Sequence, residues 1–171
     1  PRSCEIHGIK TFNGAKADDV ILKTASVIIN TKSPLASVFD DVIIGKQAIL
    51  PEVDDIVYED RLGTTGWIYR KKILVGTRDL LIHHGVPVLK EDFEKKYTRK
   101  GRKVLYLAEA GKLMAMFVVS YSADPQLKKA LRKLEKSGMT ILVRSADPFI
   151  NDESIAELFE LPDGYIRVMN S

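Results

Sequence analysis

The order of predicted strands and helices after Lys103 constrains the fold of this chain more than any other feature. Four apolar segments there have the length and composition of strands, at residues 104–107, 113–120, 139–143 and 165–169. Amphipathic helices are predicted at residues 125–137 and 155–159, on either side of the third of these strands. Strands that alternate with helices indicate a parallel sheet with right-handed crossovers.

The first half of the chain has a different character. Ser33 and Pro34 are typical of the N-cap and first turn of a helix, and Gly63-Thr-Thr-Gly66 indicates a turn between strands. The elements predicted in this half are helices at residues 18–30, 34–44, 78–84 and 90–100, and strands at residues 56–58, 66–69 and 72–75. We therefore expect helices packed on an antiparallel sheet in residues 13–102.

Together these patterns predict an α/β fold with two parts. Residues 13–102 are expected to form an α+β domain, an antiparallel sheet with flanking helices. Residues 1–12 and 103–171 are expected to form a partial parallel-sheet domain into which the first is inserted. The chain has no internal repeat and no low-complexity segment.

Composition excludes several classes of protein. The 171 residues are 45% hydrophobic and 29% charged, which is ordinary for a globular protein and excludes a disordered or fibrous chain. No apolar run approaches the roughly 20 residues that span a bilayer, so we expect no membrane insertion by this chain. Cys4 is the only cysteine, which rules out an internal disulfide and favours a reducing, cytoplasmic setting. The first residue is Pro1 rather than Met, which favours a piece of a longer protein.

Basic residues are concentrated in two clusters, although the net charge is only +3. The first comprises Lys95, Lys96, Arg99, Lys100, Arg102 and Lys103, and the second comprises Lys128, Lys129, Arg132, Lys133 and Lys136. Either cluster suits phosphate groups or anionic lipid, and a solvated helix face is the simpler interpretation.

The sequence predicts no metal site. Cys4 and His7 form a lone C-x-x-H, and His83-His84 precede a helix-ending glycine. A zinc site needs further ligands at matching spacings, and the sequence does not supply them.

Two segments of the first half match the motifs of one family in order and spacing. Thr31-Lys-Ser-Pro-Leu-Ala36 comes first, and Gly63-Thr-Thr-Gly66 is followed by Ile73-Leu-Val-Gly76-Thr77. These segments resemble the S-E-H-P-L-A, G-x-G-V-x-G and V-L-V-G-N motifs in the heavy-metal branch of the P-type cation-transporting ATPases. Further along, Ser145-Ala-Asp147 resembles the family's T-G-D, and the resemblance covers nearly the whole chain.

The resemblance implies a domain plan and a set of site residues. In the family a nucleotide-binding domain is inserted into a Rossmann-like, HAD-like phosphorylation domain. Residues 13–102 correspond to the former, and residues 1–12 and 103–171 to part of the latter. The implied cofactors of the parent are ATP and Mg²⁺. The implied nucleotide-binding residues are Ser33, Gly63, Gly66, Gly76 and Thr77, and the implied catalytic residue is Asp147.

The chain departs from the family at most of its chemical positions. Ser33 replaces the adenine-contacting histidine, Lys32 the preceding glutamate, and Arg61 the first glycine of G-x-G. Tyr121 and Asp124 stand at the aspartate and arginine of the D-x-x-R helix start. The phosphorylated D-K-T-G-T and the magnesium-binding G-D-G-x-N-D motifs are not within these residues.

Each implied site residue also has a simpler structural interpretation. Ser33 is a natural N-cap, and Gly63 with Gly66 suits an ordinary sheet turn. Gly76 and Thr77 either present a helix N-terminus to an anion or cap that helix, and both interpretations stay open. Asp147 follows a predicted parallel strand, where α/β folds bind ligands, and a loop or capping aspartate is the alternative.

Three hypotheses of function follow. The first is the cytoplasmic nucleotide-binding and partial phosphorylation domain of an ion-transporting P-type ATPase-like membrane protein, inactive alone and degenerate in its ATP contacts. The second is a non-catalytic structural or regulatory module that contacts the rest of that parent protein. The third is a free-standing basic domain that binds nucleic acid. It ranks last because aromatic residues are not interleaved with the basic clusters.

Overall fold

The computed structural model describes residues 3–31, 33–45 and 49–169, and its largest element is a six-stranded antiparallel sheet. The strands of this sheet lie in the order β1-β6-β5-β4-β3-β2. They are β1 (Cys4–Thr11), β2 (Asp54–Glu59), β3 (Gly63–Ile68), β4 (Lys71–Gly76), β5 (Lys103–Glu109) and β6 (Lys112–Tyr121). A separate parallel pair consists of β7 (Ile141–Arg144) and β8 (Ile166–Met169).

Six α-helices flank the strands in the part of the chain that the structure describes. They are α1 (Ala17–Ile28), α2 (Pro34–Val42), α3 (Arg78–His83), α4 (Glu91–Lys95), α5 (Pro125–Lys136) and α6 (Asp152–Phe159). Side-chain N-caps begin four of them, at Ser33, Thr77, Asp124 and Asn151, each of which accepts a hydrogen bond from a backbone N–H of the first turn. Within the described residues no helix combines the length and the apolar character that crossing a membrane requires.

The two faces of the large sheet carry separate cores. On one face α1 and α2 pack against side chains such as Leu105, Leu107 and Phe117. On the other face α3 and α4 pack against Tyr106 and Met116, among others. A third, smaller cluster joins α5, α6 and β8.

The predicted fold class is confirmed, because an antiparallel sheet with flanking helices accompanies a parallel strand pair. The hairpin at residues 103–120 lies elsewhere than expected. We expected it in the parallel part, yet β5 pairs antiparallel with β4, and β6 pairs antiparallel with β1. Apolar strands of this length suit either kind of sheet, so the sequence did not identify their neighbours. How the chain divides into domains stays a prediction.

Two local predictions were wrong. The predicted turn at residues 63–66 is the first part of β3, because Gly63 to Gly66 pair in register with Gly76 to Ile73. The turn lies just before it, and the N–H of Leu62 donates to the carbonyl of Glu59 there. The predicted helix at residues 90–100 is α4 alone followed by a 3₁₀ turn at Arg99–Gly101, where Lys100 adopts a positive φ of 59°.

Candidate functional site

Ser33 is buried at the start of α2, with 4% of its surface exposed. Its hydroxyl accepts a hydrogen bond from the N–H of Ala36 at 3.1 Å and lies 3.0 Å from the hydroxyl of Thr31. Pro34 follows in the first turn, as the sequence predicted. The side chain at the family's adenine position is therefore engaged in beginning a helix.

Gly63 and Gly76 face each other across β3 and β4. Gly63 has a φ of +146°, and a Cβ there would overlap the carbonyl oxygen of Val75 and lie 2.6 Å from the Cα of Gly76. A Cβ on Gly76 would lie 2.7 Å from Cδ2 of Leu80 in α3. Protein atoms occupy the space beside both glycines, so their role is close packing of two strands and a helix.

Gly66 and Thr77 also have structural roles. A Cβ on Gly66 would lie 2.5 Å from Cγ1 of Val53. The hydroxyl of Thr77 accepts from the N–H of Leu80 at 3.4 Å, and the N–H of Thr77 donates to the carbonyl of Leu62 at 2.9 Å. Because α3 has only six residues, it presents a weak N-terminal dipole.

Asp147, the one carboxylate among the predicted site residues, is buried, with 1% of its surface exposed. The hydroxyl of Tyr121 donates to its Oδ2 at 2.7 Å, and the N–H of Phe149 donates to its Oδ1 at 2.8 Å. Burial raises the pKa of Asp147 from 3.8 to about 6, since the ion is removed from water, and the two hydrogen bonds offset part of this rise. Asp147 therefore joins a loop to the sheet and is closed to solvent.

Tyr121 and Cys4 complete a buried polar cluster with Asp147. Cys4 pairs with Tyr121 in the β1–β6 register. Burial, followed by the Asp147 carboxylate, raises the pKa of the Cys4 thiol to about 12 and raises the pKa of Tyr121 well above its usual range. Both groups are thus protonated at neutral pH, and Tyr121 is the donor to Asp147. We did not assign Tyr121 a role from the sequence, because a tyrosine ending an apolar strand signals only packing.

The structure brings some of the predicted residues together and separates others. Gly63, Gly76 and Thr77 lie at one end of β3 and β4, joined through the contact of Thr77 with Leu62. Among the described residues, no hydrogen bond links these three to Ser33 or to Asp147.

His84 makes a different set of contacts. Its Nε2 lies 2.6 Å from a carboxylate oxygen of Glu59, and its Nδ1 lies 3.0 Å from Nζ of Lys72. The part of the chain that the structure describes contains no group of three or more His, Cys, Asp or Glu side chains placed to hold a metal ion. The histidine pair thus belongs to a surface polar network.

The two basic clusters make different contacts in the structure. In α5, Lys128 and Arg132 both contact Glu160, at 2.7 and 2.9 Å. Four members of the first cluster instead line a cleft of about 460 Å³ together with residues of β1 and β6. We call this the basic cleft, and its lining residues are His7, Gly8, Ile9, Lys10, Lys96, Tyr97, Arg99, Lys100, Arg102, Met116 and Val118. The sequence did not place β1 beside the first cluster.

No protein-family profile matches the chain. Copper-transporting ATPase 2 of Rhizobium meliloti (strain 1021) is 24% identical over 166 residues, which cover 96% of this chain and 20% of that protein. The chain thus spans about one fifth of the length of this relative.

The fold of this chain also matches those of solved structures. The N-domain of HMA6, a copper-transporting P-type ATPase, superposes with a TM-score of 0.58 at 16% identity, covering 69% of this chain and 99% of that one. The chain has the N-domain fold of the metal-transporting P-type ATPases. A zinc-transporting PIB-type ATPase in its E2.Pi state matches this N-domain-like chain with a TM-score of 0.59 at 12% identity, covering 97% of it and 26% of the transporter.

The N-domain fold confirms the resemblance that the motifs indicated. The framework is retained in this N-domain-like chain, with its six-stranded sheet and flanking helices. The residues predicted to bind nucleotide make structural contacts, a helix cap at Ser33 and a close strand contact at Gly63 and Gly76. The arrangement at these positions holds the fold together.

Proposed function

We propose that this chain is the nucleotide-binding-domain part of a metal-transporting P-type ATPase-like membrane protein, together with a portion of its phosphorylation domain. The N-domain fold and the match to a copper-transporting ATPase along 96% of the chain support this proposal. The chain then lies on the cytoplasmic face of the membrane, and its partner is the rest of the parent protein.

The pairing of the strands favours a domain boundary different from the one expected at residue 103. Because β1, β5 and β6 all belong to the antiparallel sheet, we assign residues through Tyr121 to the nucleotide-binding-like domain. The parallel strands β7 and β8 with α6 between them suit a portion of the phosphorylation domain.

ATP does not fit the family's nucleotide position in this chain. The observation that carries this conclusion is the burial of Ser33, whose hydroxyl is bonded to the N–H of Ala36. A serine in this place cannot stack on a purine, and each lost polar or stacking contact weakens binding by roughly 1–3 kcal/mol. We infer that the nucleotide-binding-like domain acts as a non-catalytic structural or regulatory module of its parent.

Asp147 does not fit a role in phosphoryl transfer or in magnesium binding. The family transfers the phosphoryl group to an aspartate of D-K-T-G-T, and that motif is not in this sequence. Asp147 has both oxygens engaged by Tyr121 and Phe149 and is closed to solvent. ATP and Mg²⁺ therefore belong to the parent family, and we assign no catalytic step to this chain.

Titration with magnesium-ATP tests the proposal. Backbone amide signals would be followed by two-dimensional NMR, with phosphate release measured on the same sample. We expect no saturable shifts at Ser33, Gly63 or Thr77, and phosphate release equal to that of a blank without protein. Saturation at sub-millimolar ATP with shifts at those three residues would show that the family site is intact.

A further inference from the structure

The basic cleft concentrates positive charge in one small region of the surface. Five cationic side chains line it, and no carboxylate is among its lining residues. They are Lys10 from β1 and Lys96, Arg99, Lys100 and Arg102 from the segment that follows α4. The net charge of the whole chain is only +3, so this small region is much more cationic than the average surface.

The cations of the basic cleft have no acidic partners among the described residues. None of the five forms an ion pair there, whereas Lys128 and Arg132 of α5 share Glu160. Lys10 and Lys96 contact the ring of Phe93 instead, with Nζ 4.7 and 5.7 Å from its centroid. Like charges gathered without counter-charges repel one another, and a bound anion would relieve that repulsion.

The shape of the basic cleft favours a small ligand. Its volume of about 460 Å³ lies within the range of roughly 300–1,000 Å³ that is typical of small-molecule sites. Met116 and Val118 form an apolar base, and Tyr97 adds an aromatic wall. Arginine guanidinium groups donate paired hydrogen bonds that match phosphate oxygens, which favours phosphate at Arg99 and Arg102.

We propose that the basic cleft is a binding site for a small anion that carries two or more phosphate groups. It opens on the sheet face that carries Met116, whereas α2 with Ser33 packs on the opposite face with Phe117. None of the residues predicted to bind nucleotide lines the cleft, so the site is separate from the family's nucleotide position. It does not rest on the proposed function, and the two can fail independently.

Pyrophosphate and tripolyphosphate, titrated without metal into the full chain, are the probes. We expect saturable amide shifts at His7, Lys10 and Tyr97, unchanged signals at Ser33, and an affinity that falls as salt rises from about 50 to 200 mM. Absence of saturation, or shifts spread equally over α5, would overturn the proposal.

Matched variants separate a built site from simple charge attraction. Arg99→Gln with Arg102→Gln removes two charges from the cleft, and Lys129→Gln with Lys133→Gln removes two from α5. We expect the first pair to weaken tripolyphosphate binding by about tenfold or more and the second to change it by less than about twofold. Lys10→Gln, on the other wall, is expected to weaken binding severalfold. Equal losses from the cleft pair and the α5 pair would contradict a specific site.

Two further measurements show whether the bound phosphate groups belong to a nucleotide or to a lipid headgroup. Tighter binding of ATP than of tripolyphosphate, with shifts confined to the cleft, indicates a nucleotide. Sedimentation with phosphatidylcholine vesicles containing phosphatidylinositol bisphosphate, but not with plain phosphatidylcholine, indicates a lipid headgroup. Either result supports the site. A short single-stranded RNA that binds the same residues more tightly than every phosphate probe would overturn it in favour of a nucleic-acid surface.

Discussion

At the scale of single residues, Asp147 lies in the segment that resembles the family's T-G-D, and its contacts serve folding. The carboxylate that follows the family's T-G pair remains here, but Tyr121 and Phe149 hold it below the surface. Its pKa of about 6, compared with 3.8 when exposed, means that burial makes ionisation unfavourable in the folded state. The residue therefore lowers stability where it is charged.

This cost predicts a dependence of stability on pH. Between pH 3.8 and about 6 the folded chain holds a proton on Asp147 that the unfolded chain has lost. The contribution of this group to the free energy of unfolding therefore falls as pH rises through that window, by about 3 kcal/mol in total. Urea unfolding at a series of pH values should show this fall in the native sequence and its absence in Asp147→Asn.

An exposed carboxylate supplies the control for that measurement. Asp163 is exposed, so Asp163→Asn removes a carboxylate without disturbing the buried cluster and is the matched control. If the free energy of unfolding of Asp147→Asn varies with pH in the same way as that of the native chain, Asp147 does not titrate in this window.

Local chemistry predicted several of these residues correctly. Ser33 before Pro34 caps a helix as the sequence indicated, and Asp124 before Pro125 caps another. The partner of Asp147 could not be predicted, because Tyr121 lies 26 positions away and the contact depends on how a loop crosses the sheet. The basic cleft was missed for the same reason, since Lys10 reaches the cluster around Arg99 only through the pairing of β1 with β6.

At the scale of elements, the contact between β3 and β4 depends on the absence of two side chains. Gly63→Ala should lower the free energy of unfolding by more than about 2 kcal/mol, because the new methyl group overlaps the Val75 carbonyl at a positive φ. Chemical denaturation measures this change.

Gly8→Ala is the matched control for the strand contact. Gly8 also lies in a strand, but an added Cβ meets nothing within 4 Å. We expect an effect below about 1 kcal/mol for this variant. Losses of the same size in both variants would show that the close approach of β3 and β4 is not what requires Gly63.

Sequence patterns predicted some helices and strands correctly and failed at others. Periodicity located α1, α2 and α5, whose apolar faces repeat at helical spacing. It failed at Gly63-Thr-Thr-Gly66, since glycines that permit a turn also permit close strand packing, and only the partner strand decides between them. Sheet order was likewise out of reach, because β5 and β6 are apolar on both faces and suit several neighbours.

At the scale of the whole molecule, the two sheets should differ in local stability. The pair β7–β8 has two strands of four residues each, whereas β5 and β6 lie inside the large sheet with buried side chains on both faces. A two-stranded sheet is marginal without extensive packing. Native-state hydrogen exchange should show amides of β7 and β8 exchanging at least about tenfold faster than those of β5 and β6.

The contrary result is equally informative. Equal protection in β7, β8 and the central strands would mean that the chain opens as one cooperative unit. The link from Tyr121 to Asp147 and the packing of Phe149 would then couple the parallel pair to the large sheet.

The position of β1 in the sheet has a consequence during synthesis of the chain on the ribosome. Its sheet partner is β6, and His7 meets Ser120, 113 positions later in the chain. At ribosomal speeds of roughly 5–20 residues per second, β1 waits on the order of ten seconds for that partner to be synthesised. During this delay the hydrogen-bonding groups of β1 have no sheet partner within the chain.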